Sequence, residues 1–302
     1  MSDVRLAQAV ELYQLYCRAR GLAPRTLETY FASLEGLYTF LAQQEADPAI
    51  PSSQQLRTYI SFLLDQGLSR GTVRIRMRVV RAFCNFLTRE GIADVSPFGG
   101  VEIPRVPETR PNVLGAEEVR RLVAASNGVG WTGVRNHALL LTFLDTGIRL
   151  GELLRLNRED ADMGGLTIRI HHGKGGKERQ VFMGRSLYRA LRRWIDLRGV
   201  SIPQEALFLT RRGDRLQRRN VQRIVESIGA CAGLTGRKLA PHALRHTFAT
   251  HYIMNGGDPF SLQRILGHSD IKTTMIYVNL AGVGLREAHA KASPVDRLLA
   301  ER

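Results

Sequence analysis

Apolar residues recur every three or four positions through most of the first hundred residues, the spacing that gathers side chains on one face of a helix. From Val4 to Ala19 the set Leu6, Val10, Leu12, Leu15 and Tyr16 predicts an amphipathic helix that Gly21 ends. A second helix is expected from about Thr26 to Gln44, burying Leu27, Tyr30, Leu34, Leu37, Tyr38 and Leu41, and a third from about Ser53 to Gln66. After Ser69 a fourth places Val73, Met77, Val80, Cys84 and Leu87 on one stripe, with Arg74, Arg78 and Arg81 aligned on another. The stretch "VEIPRVPETRPNVLG", residues 101–115, breaks this rhythm with three prolines and reads as a linker.

Beyond it helices are expected near 116–126 and 131–145, and then the period changes to two. In "LTIRIHHGKGGKERQVFM", residues 166–183, Leu166, Ile168 and Ile170 alternate with Thr167, Arg169 and His171, and Val181 and Phe182 resume after a glycine-rich turn. This is a hairpin with Lys174 near its tip. Helical spacing then returns from about residue 185 to the end. The resulting fold class is mainly α with a small β-sheet, in more than one domain, since 302 residues exceed what a single hydrophobic core usually holds.

Composition narrows the partners. Lys and Arg number 43 against 28 Asp and Glu, a net charge of +15, which favours a polyanion. Nucleic acid is preferred to a membrane surface because neither a bilayer-length apolar run nor a basic amphipathic anchor is evident. No secretory leader is visible at the start, so the expected location is cytoplasmic. Cys17, Cys84 and Cys231 are odd in number and lack any paired spacing; Cys17 and Cys84 read as core residues.

The run from Arg70 to Arg81 holds five arginines, Arg70, Arg74, Arg76, Arg78 and Arg81, and no acid. Such a face repels itself unless phosphates neutralise it, which makes it a candidate DNA contact. Arg25, Thr26 and Tyr30 form a candidate second contact at the start of the second helix.

"GKGGKE" lacks the spacing of a nucleotide-binding P-loop and opens into a strand, so Lys174 is read as an ammonium at a hairpin tip. In "TGIRLGELLRL", residues 146–156, Arg149 follows a break at Gly147 and stands beside Glu152. In "PHALRHTFATH", residues 241–251, Pro241 opens a helix that carries His242 and Arg245 on one face. His242 and His246 have the i, i+4 spacing of a zinc pair, but no acid ligand accompanies them and their neighbours are basic, so no metal is expected. His246 and His251 are read as hydrogen-bonding within the fold. Gly267 is expected to end a helix and expose His268, and a further helix capped by Ser269 or Asp270 carries Tyr277.

Taken in order, Arg149, Lys174, His242-x-x-Arg245, Gly267-His268 and Tyr277 resemble the active-site pattern of the tyrosine recombinases, the integrase family of site-specific recombinases. The surrounding boxes, with "HGKGGKERQV" and "LQRILGHSDIKTTMIYV", extend the resemblance over most of 146–280. The family implies a helical core-binding domain (1–104), a linker (105–115) and a mixed α/β catalytic domain of the DNA breaking-rejoining type (116–302), together clamping DNA.

It also implies roles for individual residues. Tyr277 would be the nucleophile, Lys174 the general acid, His242 the residue assisting proton transfer, His268 a hydrogen-bond donor to phosphate, and Glu152 a brace. Elementary chemistry agrees for Arg149 and Arg245, whose planar donors suit the charge that gathers on a phosphoryl centre. No cofactor is implied.

The expected partner is double-stranded DNA carrying paired recombination sites. A homotetramer, or a heterotetramer with a related recombinase, would assemble there through the tail at 285–302. The length resembles Xer recombinases and compact mobile-element integrases. A type IB topoisomerase is the nearest alternative, and a catalytically silent DNA-binding regulator of the same fold is another.

Overall fold

The computed structural model describes residues 6–43, 50–107, 111–171, 178–199, 205–234, 236, 239–282, 289, 293–295 and 299. It divides into two compact units, residues 1–109 and 110–302, and each is built around its own core.

The first unit is four helices, α1 (Leu6–Ala19), α2 (Pro24–Ala42), α3 (Ser53–Asp65) and α4 (Arg70–Arg89). Serines set two of the starts. The Ser52 hydroxyl accepts from the Gln55 amide while the Gln55 side chain accepts from the Ser52 amide, and Ser69 caps α4 through the Thr72 amide. Helix α2 begins two residues before its predicted start because Pro24, lacking an N–H, fits the first turn. The core gathers Leu34, Leu37, Leu56, Tyr59, Met77, Phe83, Cys84 and Leu87, and Cys17 joins it.

Two expectations about buried faces fail here. Leu12 and Leu15 are 47% and 66% exposed, and α1 instead buries Ala9, Tyr13 and Cys17. Tyr13 packs against Tyr30, Phe83 and Phe86, so an aromatic cluster outcompetes the leucines. Tyr38 is likewise exposed on α2, while Phe40 takes the core position against Tyr59 and Phe62.

The second unit holds α5 (Ala116–Ser126), α6 (Gly130–Thr146), α7 (Leu150–Arg155), α8 (Arg185–Arg198), α9 (Arg218–Cys231), α10 (Pro241–Met254), α11 (Pro259–Leu266) and α12 (Lys272–Ala281). A sheet ordered β1-β2-β3 lies between α7 and α8, formed by β1 (Ala161–Asp162), β2 (Thr167–Ile170) and β3 (Arg179–Phe182). Strands β2 and β3 are antiparallel, with Ile168 opposite Val181 and Ile170 opposite Arg179. Ile168, Ile170 and Val181 face the core, as alternation requires. Leu166 does not extend the strand; its φ of 52° turns it outwards. The two-residue β1 was not expected, being too short to carry a period.

Trp194, Phe143, Leu139, Leu191 and Val225 lie in the main core of this unit. Leu114, at the end of the proline-rich stretch, is buried there; its amide donates to Thr247 Oγ1 and its carbonyl accepts from His251 Nε2. A separate small cluster of Ala249, Ile253, Leu262, Leu266 and Tyr277 holds α11 and α12 against α10. Among the described residues no helix is long and apolar enough to cross a membrane.

Candidate active site

Helix α6 stops at Gly147, which takes φ 60° and returns its amide to the Phe143 carbonyl. A side chain there would collide with the Phe248 ring, so only glycine allows this turn and packs closely enough. The chain then swings Arg149 to the start of α7, where its amide donates to Glu152 Oε2 at 2.8 Å. The guanidinium donates to Glu152 Oε1 at 3.0 Å and to the Gly267 carbonyl at 3.3 Å.

Glu152 is 3% exposed and braces more than Arg149. Arg179, at the start of β3, donates to both of its oxygens at 2.9 and 2.8 Å and to the Ile265 carbonyl. Burial pushes this carboxyl up, but the hydrogen bonds and charge of Arg179 and Arg149 outweigh it and hold the pKa at about 2. The carboxylate's stabilisation is therefore complete above the ordinary glutamate value of about 4.3 and is lost as pH falls towards about 2. Glu152→Gln leaves Arg179 without its counter-charge and should destabilise the fold by about 3 kcal/mol at pH 7. Urea melts of the two proteins should converge as acid removes the wild-type advantage.

Helix α10 begins with Pro241 at its first position, and Arg245 follows one turn later, buried. Its guanidinium donates to the Gly147 carbonyl at 2.6 Å, to the Leu266 carbonyl at 2.8 Å and to His268 Nε2 at 3.0 Å. Each of these acceptors is neutral, and burial, with Arg149 nearby, lowers the Arg245 pKa to about 10. The cation persists at neutral pH without a carboxylate of its own.

Its contact with His268 also fixes a tautomer. Arginine only donates, so Nε2 accepts, and Nδ1–H donates to Thr274 Oγ1 at 2.9 Å. Burial, then Arg245, Arg149 and Arg179, depress the His268 pKa to about 4, and the ring is neutral. His268 is half-buried, not exposed as its place after Gly267 suggested, because Arg245 and Thr274 hold both ring nitrogens.

His242 sits exposed on the same helix, beside a cleft of about 310 Å³ whose wall includes Arg149, Arg155, Arg218 and Arg245. Partial desolvation, followed by Arg245, Arg149 and Arg218, lowers its pKa, so it meets the cleft as a neutral base. Glu152, the one carboxylate among the described residues that line the cleft, is already paired. A cationic recess of this kind takes a phosphate.

Tyr277 is 4% exposed on α12 and its hydroxyl lies 3.0 Å from His246 Nδ1. Burial raises the phenol pKa, while Arg245 and Arg149 pull it down. Helix α12 starts at Lys272; the Asp270 carboxylate accepts the Lys272 amide, and Ser269 has no such role.

Five of the predicted residues, Arg149, Glu152, Arg245, His268 and Tyr277, thus share one hydrogen-bonded and electrostatic neighbourhood, with His242 at its open side. Lys174 lies outside the described residues. His246 as the phenol's partner, Arg179 and Thr274 were missed. The i, i+4 spacing from His242 put His246 on the right face, whereas nothing local marked the other two. Among the described residues no group of three His, Cys, Asp or Glu is placed to hold a metal ion.

The candidate DNA contacts lie in the first unit. Arg70, Arg78 and Arg81 are exposed, Arg74 is half-buried, and none pairs with a carboxylate among the described residues. Arg81 lies 4.8 Å over the Phe98 ring. Arg76, in the same run, lies off the stripe of Arg74, Arg78 and Arg81, 200° around the helix from Arg74 by the 100° step, and sits beside Gly36 and Tyr59. Arg25 projects into solvent and pairs with Glu28, Thr26 is half-buried, and Tyr30 stacks on Tyr13.

The profile of the Phage integrase family matches residues 112–282, and that of the Phage integrase N-terminal SAM-like domain matches residues 10–91. The chain belongs to the phage integrase family. Within this integrase family it is Xer-like. It is 32% identical over 287 residues to tyrosine recombinase XerC of Thermodesulfovibrio yellowstonii, covering 92% of this chain and 93% of the relative. Tyrosine recombinase XerD of Rhizobium meliloti is 32% identical over 289 residues, covering 93% of each chain. The fold is that of the Tn1549 transposon integrase, solved in complex with a circular intermediate DNA, with a TM-score of 0.76, 21% identity, and 94% and 98% of the two chains covered.

Proposed function

We propose that this integrase-family chain is a site-specific DNA recombinase that cuts and rejoins strands through a 3′-phosphotyrosyl intermediate. The observation that carries the reading is the cleft where, among the described residues, Arg245 and Arg218 have no carboxylate partner and Arg149 shares Glu152 with Arg179, beside a neutral His242, with Arg245 linked through His268 towards the tyrosine helix. A scissile phosphate seated there would meet two planar donors at its non-bridging oxygens as charge builds on them.

In the proposed reaction the Tyr277 oxygen bonds to phosphorus and the bond to the 5′ oxygen breaks. The phenol proton passes to a histidine, His242 in the cleft or His246, which already holds the hydroxyl. Lys174 protonates the departing 5′ oxygen. His268 releases Arg245 and changes tautomer, so that Nδ1 accepts from the Thr274 hydroxyl and Nε2–H donates to the phosphate. One ester replaces another, so neither ATP nor a metal enters the balance. Tyr277 must leave the His246 contact to reach the cleft, and the small cluster around α12 is the part of the fold that would yield.

The domain roles follow the same reading: 1–104 binds the core site, 105–115 links, 116–302 catalyses, and the two domains clamp duplex DNA. The Arg70, Arg74, Arg78 and Arg81 face would track phosphates, with Arg25, Thr26 and Tyr30 as a second contact. Val295 and Leu299 in the tail are exposed, which supports a docking role on a neighbouring protomer and a tetramer on paired sites. The remainder of the tail, from 285, lies largely outside the described residues.

The test is a supercoiled plasmid carrying two copies of the target site, recovered by sequencing DNA trapped on the protein by nicked substrates. Recombination only when both sites are present supports the proposal. Relaxation of a plasmid lacking sites would favour the topoisomerase alternative. Arg74→Ala with Arg78→Ala should weaken binding at every sequence tested and make the slope of log affinity against log salt shallower by about 2. Titrations at several salt concentrations read that slope.

A further inference from the structure

The β2–β3 hairpin carries an ion cluster at its neck. Register pairs Ile170 with Arg179, so His171 and Glu178 are the next residues to face each other across the strands, just before the segment containing Lys174. His171 Nδ1 lies 2.9 Å from Glu178 Oε1, and its Nε2 lies 2.6 Å from Asp160 Oδ1. Asp160 belongs to the single 3-10 turn Arg158–Asp160 after α7, where it is buried and its other oxygen accepts the Asn157 amide.

This geometry specifies a protonation state. Two carboxylates only accept, so both ring nitrogens must donate and the bridge exists as an imidazolium. The same two carboxylates, Glu178 first and then Asp160, raise the His171 pKa. Among the described residues these two carboxylates come from the position just before β3 and from the 3-10 turn; Arg179 next door is turned away to Glu152 and Ile265.

We infer that His171 is a positioning residue for strand cleavage: by bridging Asp160 and Glu178 as an imidazolium it ties both ends of the Lys174 segment to the body of the catalytic unit. The inference rests on Lys174 being the general acid. Only six residues separate His171 from Glu178, so fixing those two ends limits where an ammonium between them can reach. Loss of one proton removes one of the two bonds, so cleavage should decline as pH rises through the His171 titration. No direct contact between His171 and DNA is required.

Single-turnover cleavage of two substrates tests this. One is ordinary DNA; the other carries sulphur in place of the bridging 5′ oxygen at the scissile position. A thiol has a pKa of about 8.5, so its thiolate departs without a general acid. His171→Gln should slow ordinary cleavage by roughly 10- to 100-fold and leave sulphur-substrate cleavage at the wild-type rate. The wild-type pH profile on ordinary DNA should contain a falling step that His171→Gln lacks, and Glu178→Gln should move that step to lower pH.

An equal defect on both substrates, or none on either, overturns the inference. Lys174→Ala is the separate control. If the sulphur substrate fails to rescue it, the general-acid reading itself is wrong; if it rescues Lys174→Ala but not His171→Gln, only the positioning role fails.

Discussion

Tyr277→Phe should bind its DNA site with wild-type affinity and form no covalent adduct, a loss of at least about 10⁴-fold in cleavage. The expectation follows from what the hydroxyl does in the structure. Among the described residues its hydrogen bond is to His246, while the ring packs with Ala249, Ile253, Leu262 and Leu266, contacts that phenylalanine preserves. Removing the oxygen therefore takes away the proposed attacking atom and little of the packing. Burial also keeps the phenol protonated at neutral pH, so the reaction needs a base as well as a nucleophile. Gel-shift titration and denaturing gels of trapped complexes separate the two readouts, and adducts at wild-type level in this variant would refute the assignment of Tyr277.

Arg245→Ala should lower cleavage by about 10³-fold, the scale on which loss of one preorganised donor acts at a developing oxyanion. Here the catalytic and structural effects must be separated. The same guanidinium satisfies the carbonyls of Gly147 and Leu266 and holds His268, so truncation orphans buried acceptors at about 1–3 kcal/mol. Part of that cost is offset because a desolvated cation disappears. Arg245→Lys keeps the charge but cannot fork between two carbonyls and an imidazole. It should retain more of the melting temperature than Arg245→Ala while remaining about 10²-fold slower in cleavage. Thermal melts alongside single-turnover rates decide the matter: if activity follows stability alone across the pair, Arg245 is a structural brace and not a transition-state donor.

The two variants probe opposite ends of one connected arrangement. Arg245 is anchored by the main-chain turns at Gly147 and Leu266, which are built from glycine-terminated helices and hold it in place. Tyr277 sits in a separate, smaller cluster of buried residues beside a far larger core.

Much of this was legible in the chain. Helices α4, α5 and α6 fall where apolar spacing put them, and the hairpin follows the change to a period of two. The glycine breaks at 147 and 267 and the proline at 241 marked the turns that deliver Arg149, His268 and His242. These features depend on residues close together in sequence, and local backbone preference is enough to specify them.

What required the tertiary structure depends on distant pairs. Arg245 and Gly147 are 98 residues apart, and Arg179 and Ile265 are 86 apart. No periodicity announces that Arg179 would spend its charge on Glu152, that Arg76 would sit beside Tyr59, or that Tyr13 would displace Leu12 and Leu15 from the core. A repeat assigns a side chain to one face of its own helix or strand. Which group meets that face, how much water it removes and which proton it leaves behind are set by elements that folding alone brings together, and so the charge state of His268, Glu152 and Tyr277 was decided there.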